Sequence, residues 1–321
     1  MSGLVDGEWV GTDYATDDDG EFRRQTTTFR DRIGPGEAFP AEAGRYHLYI
    51  CRACPWAHRA AMTRALKGQD DAISLSLVQP ERYDDGWEFS EDHPDPLYGA
   101  DYLRELYVRA DPNYTGRVTV PVLWDTETET IVNNESAEIM RMLDVAGDEL
   151  ATRDVDLYPE GYRDEVDRLI DDIYDPINNG VYRAGFADSQ QAYDRAVAAL
   201  FDALDRYDDR LAERRYLAGD RLTEADLAMF ATLVRFDHVY HTHFKCNRRA
   251  IHEYDNLWGY TKDLYTTPGI ERTVNMDHIV RHYYVSHGDV NPKRLVPTGP
   301  DIDFTEGHDR DRLPGGPPEA L

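Results

Sequence analysis

The stretch from residue 46 to residue 66 constrains the fold more than any other, because it combines a strand, a cysteine-proline pair and a helix. Tyr46–Ile50 is apolar and aromatic, which is typical of a strand. Ala57–Leu66 contains good helix formers. Pro55 suits the first helical position, where a missing N–H costs nothing. This pattern predicts that Cys54 is the N-cap of the helix.

A cysteine at a helix N-cap has a distinctive chemistry. The sulfur of Cys54 would face the unpaired amides and the positive end of the helix dipole, and both favour a thiolate. We therefore expect a lowered pKa for this thiol. The alternative is a buried structural cysteine that happens to precede a helix, but reactive cysteines favour this microenvironment. A strand, a Cys-Pro turn and a helix in this order together predict the active site of a thioredoxin-like domain.

Further strands and a helix complete this first domain. Residues 73–78 alternate apolar and polar positions, 118–124 form a third strand and 130–132 a fourth, and a helix begins at Ser136. Pro121 lies inside the third strand, where proline is normally excluded. In thioredoxin-like domains the matching proline is cis, and the residue before it offers its backbone to a peptide ligand. We predict a thioredoxin-like domain over residues 45–146.

The rest of the chain divides by composition. Residues 1–44 are acidic and weakly periodic and predict an N-terminal extension wrapped over the core, and 147–159 read as a linker. Residues 160–290 have the period of helices and predict an all-α C-terminal domain. Thr223 and Asp226 form a capping-box pattern at the start of one of these helices. Residues 291–321, rich in proline, glycine and aspartate, predict an irregular tail.

The charge is strongly negative. The chain has 62 acidic and 35 basic residues, a formal charge of -27, and few of its basic residues are lysines. Such a surface repels nucleic acids and anionic membranes. It is either an ordinary solvated face or an adaptation to a high-salt cytoplasm, and we favour the second because salt screens the self-repulsion.

Cysteine content and hydropathy bear on the compartment. Three cysteines in 321 residues fit a reducing environment. The N-terminal residues lack the basic region and apolar core of a secretory signal, and no apolar run is long enough to span a membrane. We expect a cytoplasmic protein.

Seven ordered motifs resemble those of one family, the glutathionyl-hydroquinone reductases, which are the Xi class of glutathione transferases. The resemblance runs from about Gly7 to Gly299. The acidic, lysine-poor composition also resembles that of halophilic archaea. The motifs are Cys54–Arg59, Gly86–Phe89, Gly116–Asp125, Asn134–Glu138, Asn178–Tyr182, Leu233–Asp237 and His243–Cys246.

This resemblance implies a fold, a reaction and a set of site residues. The fold would be the glutathione transferase architecture, assembled as a homodimer, and the reaction the thiol-dependent reduction of small aromatic thiol conjugates to hydroquinones. The thiol co-substrate would be glutathione or γ-glutamylcysteine, and no metal is expected. The catalytic residues implied are Cys54, Tyr182, Tyr240 and Tyr283, with Cys54 as nucleophile. The thiol-binding residues implied are Trp87, Arg117, Val120, Glu135 and Ser136.

Several of these residues also have plainer interpretations. Each tyrosine could simply be packing, and Glu135 and Ser136 could be ordinary capping residues. Cys51 precedes Cys54 by three residues, but the second cysteine of a usual redox pair would replace Ala57, so we expect Cys51 to be buried or idle.

A second cluster of residues has spacing that resembles a metal site. Its members are His238, His241, His243 and Cys246. On a helix His238 and His241 would share a face that His243 does not. The family needs no metal, and we expect none here.

Two other functions remain open from the sequence. One is a broader thiol-disulfide oxidoreductase similar to the omega-class transferases and glutaredoxins. The other is a non-catalytic scaffold with a transferase fold, which would be expected to lose both the cysteine and the thiol site.

Overall fold

The computed structural model describes residues 3–11, 16–145 and 150–321. Predictions for residues 12–15 of the extension, and for the junction at 146–149 between the thioredoxin-like domain and the linker, lie outside these ranges. The chain forms two compact units. The first comprises Met1–Ala15, Arg24–Asp154 and Asp277–Ser286, and the second comprises Thr16–Arg23, Val155–Met276 and His287–Leu321.

A four-stranded mixed sheet forms the centre of the first unit. Two short strands, β1 (Gly3–Val5) and β2 (Glu8–Gly11), pair with each other near the start of the chain. The main sheet has the order β4-β3-β5-β6, with β3 parallel to β4 and antiparallel to β5. Its strands are β3 (Tyr46–Ile50), β4 (Ile73–Leu77), β5 (Val122–Asp125) and β6 (Thr130–Asn133).

Three helices accompany this sheet: α1 (Pro55–Leu66), α2 (Leu103–Ala110) and α3 (Ser136–Val145). All five residues of β3 are buried, as are ten of the twelve residues of α1. Burial along the whole of β3 indicates that both faces of this strand are covered. The β-α-β and β-β-α order confirms the predicted thioredoxin-like fold.

The third strand begins later than the sequence suggested. We predicted a strand over 118–124, but β5 begins at Val122. Pro121 has no N–H to donate to a ladder, and the Val120–Pro121 peptide bond is cis, as predicted. Residues 118–121 therefore form a loop that leads into β5.

The second unit is mainly helical between residues 160 and 273, as predicted for an all-α part of the chain, whereas its segments Thr16–Arg23 and His287–Leu321 are mostly irregular. Its helices are α4 (Arg163–Ile173), α5 (Gly180–Gly185), α6 (Gln190–Leu211), α7 (Glu224–Arg235) and α8 (Leu257–Thr266). Two π-helical turns, Tyr174–Asn178 and Phe236–Tyr240, continue α4 and α7. Such turns are often found at functional sites.

The last helix belongs mostly to the first unit. Helix α9 (Met276–Ser286) follows the helical region in sequence, yet Asp277–Ser286 group with the sheet-containing unit. In the part of the chain that the structure describes, no helix has both the length and the apolar character needed to cross a membrane.

Candidate active site

Cys54 is the N-cap of α1, as the sequence predicted. Its backbone is extended, with φ -74° and ψ 119°, and Pro55 is the first helical residue. The side chain is 9% exposed, and its Sγ lies 3.7 Å from the backbone oxygen of Val120. The structure thus brings together two predicted site residues, the proposed nucleophile and the residue before the cis-proline.

Cys51 is directed to another part of the sheet. Its Sγ lies 3.9 Å from the backbone oxygen of Gln79, just beyond β4, whereas Cys54 contacts Val120, just before β5. These two strands flank β3 on opposite sides. Cys51 is fully buried, as expected, and its contact differs from that of Cys54.

Glu135 and Ser136 open α3 beside the N-terminal extension. The backbone N–H of Glu135 donates to Asn133 Oδ1 at 2.7 Å, and Thr27 Oγ1 donates to Glu135 Oε2 at 3.3 Å. Ser136 Oγ lies 3.5 Å from Glu135 Oε1. A carboxylate and a hydroxyl at a helix N-terminus can bind the ammonium and the carboxylate of a γ-glutamyl group.

Trp87 packs against α9. Its ring stacks on His282 with centroids 5.2 Å apart and planes at 16°, and the Arg82 guanidinium lies 5.4 Å from the ring centroid. His282 Nδ1 lies 2.6 Å from the backbone oxygen of Pro80, so this nitrogen carries the proton. The next residue, the predicted Tyr283, is buried in the same unit.

Further contacts join α9 to the segment around Trp87. Ser286 Oγ accepts from the N–H of Arg82 at 2.8 Å, and Arg281 pairs with Glu81. The sequence implied a role for Trp87, but it did not predict His282 as the partner of its ring. The two are almost two hundred residues apart in sequence, so no local periodicity could have paired them.

Arg117 directly precedes the loop 118–121, which contains the cis-proline Pro121. It is half-buried, and its backbone oxygen accepts from the Tyr114 hydroxyl at 2.9 Å. The preceding residue, Gly116, bridges to Leu4 of β1. These contacts hold the backbone of Arg117 within the first unit.

Two arginine side chains contact an aromatic ring near the start of α1. Two guanidinium groups lie over the Trp56 ring, with Arg24 at 4.7 Å and Arg59 at 4.6 Å from the ring centroid. Such cation–π contacts are favourable and order the ring. Arg59 follows Trp56 by three residues, a spacing that the sequence could have indicated, whereas Arg24 comes from the extension.

Tyr182 and Tyr240 are brought together in the second unit. Both rings are buried, with centroids 6.0 Å apart, and Phe244 lies 5.5 and 5.7 Å from them. Tyr240 ends one π-helical turn, and Tyr182 follows the other closely. Asn178 fixes that other turn by donating to Ala228 O and Thr232 Oγ1, both at 2.9 Å.

The histidine-cysteine cluster forms other contacts. His243 Nε2 lies 3.1 Å from His287 Nδ1, and Cys246 Sγ lies 3.8 Å from the backbone oxygen of Phe244. Burial lowers the pKa of His243 to about 4 and raises the pKa of the Cys246 thiol well above its ordinary value. Across residues 3–11, 16–145 and 150–321, no group of three or more His, Cys, Asp or Glu residues is placed to hold a metal.

Two family models match the chain. The glutathione S-transferase N-terminal domain matches residues 53–146, and the glutathione S-transferase C-terminal domain matches residues 190–263. Among curated proteins, glutathionyl-hydroquinone reductase YqjG of Escherichia coli is 48% identical over 97% of this chain and 99% of its own length. Glutathionyl-hydroquinone reductase PcpF of Sphingobium chlorophenolicum is 47% identical, with 94% and 96% covered.

Solved structures agree with these matches. The Xi-class transferase of Natrialba magadii is 62% identical, with 97% of each chain covered and a TM-score of 0.91. The glutathione-bound structure of YqjG is 47% identical and covers 96% of this chain and 98% of its own, with a TM-score of 0.88. Both similarities extend well beyond either domain alone.

Proposed function

The chain belongs to the Xi class of glutathione transferases, the glutathionyl-hydroquinone reductases, and on that basis we propose that it reduces thiol conjugates of hydroquinones to hydroquinones. The observation that carries the proposal is Cys54 at the start of α1, with its sulfur beside Val120 and the cis-proline. This is the arrangement that a thiolate nucleophile needs.

The reaction proceeds in two exchanges at sulfur. The Cys54 thiolate attacks the thioether sulfur of the conjugate and forms a mixed disulfide with the thiol. The carbon–sulfur bond breaks, its electron pair passes to the ring carbon, and that carbon takes up a proton to give the hydroquinone. A second thiolate then attacks the mixed disulfide, which releases the oxidised thiol dimer and restores the Cys54 thiolate.

Tyrosine hydroxyls assist the first exchange. Negative charge moves onto the ring as the carbon–sulfur bond breaks, and a phenol can donate a hydrogen bond to a ring oxygen or act as an acid. We assign this role to Tyr182, Tyr240 and Tyr283. The close pairing of Tyr182 with Tyr240 supports a common role for those two.

The thiol is held by the first unit. Val120 pairs its backbone with the cysteine of the ligand, as an added strand would. Glu135 and Ser136 take the γ-glutamyl head, while Trp87 and Arg117 complete the site. The stack of Trp87 on His282 supports this assignment, because it holds the indole in one orientation.

The thiol itself is glutathione or γ-glutamylcysteine, and we propose a preference for γ-glutamylcysteine. The acidic, lysine-poor composition supports it, since it resembles that of halophilic archaea, which as a group use the shorter thiol. The test is kcat/KM for both thiols with matched conjugates at high salt. A glutathione preference of about tenfold or more, about 1.4 kcal/mol of transition-state binding, would reject the preference. We also propose a cytoplasmic homodimer, in keeping with the family.

The decisive experiment is mass spectrometry of the intact protein after exposure to a glutathionyl-hydroquinone. We expect one added glutathione on Cys54 and release of one hydroquinone, with the adduct removed by excess thiol. Equal turnover of a simple mixed disulfide would favour the broader oxidoreductase function. Absence of both adduct and product would reject the proposal.

A further inference from the structure

The hydroxyl of Tyr107, in the first unit, uses its donor and both of its acceptor positions in hydrogen bonds. Tyr107 lies on α2 and is completely buried. Its hydroxyl donates to the backbone oxygen of Thr119 at 2.8 Å and accepts from the backbone N–H of Thr119 at 3.2 Å. It also accepts from Asn134 Nδ2 at 3.1 Å, with Thr119 Oγ1 further away at 3.4 Å. One donor and two acceptor sites are all that a phenol has.

The two bonds to Thr119 replace a missing strand partner. Thr119 precedes Val120 and lies before the start of β5 at Val122. Its N–H and C=O both bond to a single side-chain atom. A backbone that is not in a ladder must find such partners elsewhere. The Tyr107 hydroxyl therefore fixes the backbone of the residue next to Val120.

The third bond reaches the other loop of the proposed thiol site. Asn134 directly precedes Glu135 and Ser136 and is 4% exposed. The single phenol proton goes to Thr119, so the group that Asn134 presents to the phenol must be its donor, Nδ2. Asn134 Oδ1 is buried and has no hydrogen-bond partner among the described residues. The hydrogen bond to the Tyr107 hydroxyl is therefore the one that orients the side-chain amide of Asn134.

We propose that the Tyr107 hydroxyl is a positioning group that fixes two loops of the thiol site relative to each other. One loop presents Val120 to the cysteine of the thiol, and the other presents Glu135 and Ser136 to its γ-glutamyl head. The inference rests on the proposed function, because it assumes that these loops hold a thiol. Burial raises the pKa of Tyr107 to about 12, so the hydroxyl keeps its proton throughout the neutral range.

The test is Tyr107→Phe, which removes one oxygen and leaves the ring. The matched control is Tyr46→Phe, because Tyr46 is also completely buried and its hydroxyl also donates to a backbone oxygen, that of Pro40. Both variants leave a backbone carbonyl without its phenol donor, but only the carbonyl of Thr119 adjoins the thiol site. Tyr107→Phe also removes the acceptor of the Thr119 N–H and of Asn134 Nδ2, so its Tm should fall further. Dissociation constants for glutathione and γ-glutamylcysteine are measured by calorimetry at high salt, together with Tm.

We expect Tyr107→Phe to bind the thiol about tenfold more weakly, while Tyr46→Phe stays within about twofold of the unmodified protein although it too loses a buried hydrogen bond. The loss should appear in the KM for the thiol, with kcat at saturating thiol largely retained. An equal effect of both variants on binding would overturn the inference. A folded, unmodified protein that binds neither thiol would instead overturn the proposed function.

A double-mutant cycle tests the link between the loops. Asn134→Ala removes the third bond and leaves both bonds from Tyr107 to Thr119. If the link is real, Asn134→Ala weakens thiol binding, and the double variant loses less affinity than the product of the two single losses. Strict multiplication of the losses would show independent effects and reject the link. Asn134→Ala also provides the test if Tyr107→Phe does not fold.

Discussion

Helices α1 and α7 begin in opposite ways. Helix α1 begins at Cys54, whose side chain makes no capping hydrogen bond, and its first turn has no acidic residue. Helix α7 begins after Thr223 with a capping-box pattern in which the N–H and the hydroxyl of Thr223 both donate to Asp226 Oδ2, and its first turn carries Glu224 and Asp226. Every helix start leaves unpaired amides and a positive end. In α7 two carboxylates lie at this positive end, whereas the first turn of α1 has no acidic residue and its N-cap is Cys54.

The carboxylate of Asp226 is a buried acceptor with several donors at the start of α7. Its oxygens accept from the N–H groups of Leu217 and Thr223 and from the hydroxyl of Tyr260, each at 2.8 Å. By contrast, the whole of α1 lacks aspartate and glutamate in a chain that has 62 of them. The comparison predicts that the start of α7 stabilises the fold, whereas the start of α1 serves the proposed chemistry of Cys54.

The largest effect should come from Cys54→Ser. A serine hydroxyl is not ionised near neutral pH and cannot form a mixed disulfide, so hydroquinone release should fall by about a thousandfold or more. Cys51→Ser and Cys246→Ser are the controls and should retain most activity. Chromatographic measurement of hydroquinone release checks all three. If Cys51→Ser is as inactive as Cys54→Ser, the single-cysteine mechanism is wrong.

Asp226→Ala should weaken the fold and leave the chemistry intact. It removes the capping box and leaves buried donors unsatisfied, so we expect a loss of about 3 kcal/mol in the free energy of unfolding. The control is Ser189→Ala, which removes the simpler cap of α6, where Ser189 Oγ accepts from Ala192 N; about 1 kcal/mol is expected. Denaturant unfolding measures both. Equal losses would mean that the Asp226 network adds nothing beyond an ordinary cap.

The pH dependence of stability sharpens the same point. Burial, opposed by its hydrogen bonds, raises the pKa of Asp226 from 3.8 to about 6. Between these values the folded state keeps a proton that the unfolded state has lost, so the contribution of Asp226 falls as pH rises through this window, by up to about 3 kcal/mol. To isolate the contribution of Asp226, the free energy of unfolding is measured from pH 4 to 7 for the unmodified protein and for Asp226→Asn, and the difference is followed with pH. A difference that does not change with pH would contradict the shift.

Salt should act on the exposed charge and leave both helix starts nearly unaffected. The screening length grows from about 3 Å at 1 M salt to about 10 Å at 0.1 M, so repulsion within the acidic surface lowers Tm on dilution. We expect a parallel fall in the unmodified protein and in Asp226→Ala, since the buried network is little screened. An unchanged melting curve between molar and millimolar salt would reject adaptation to high salt.

The sequence predicted features that depend on neighbouring residues. Cys54 at the N-cap, Pro121 as a special strand position and the Thr223–Asp226 box each follow from a short pattern, and the structure confirms them. The strand predicted from residue 118 was partly wrong, because partners outside the sheet bind Thr119. Contacts such as Trp87 on His282 join distant segments, and side-chain periodicity carries no information about them.

Because Asp277–Ser286 complete the unit that contains Cys54, the order of synthesis matters. A ribosome makes the nucleophile early and the helix that supports Trp87 late. About 230 residues separate them, which at roughly 5–20 residues per second is roughly 10 to 45 seconds of translation. During that interval the first unit of the nascent chain lacks α9, so the Trp87 ring lacks the His282 ring on which it stacks in the folded protein. The proposed thiol site around Trp87 can therefore be complete only after residue 286 has been made.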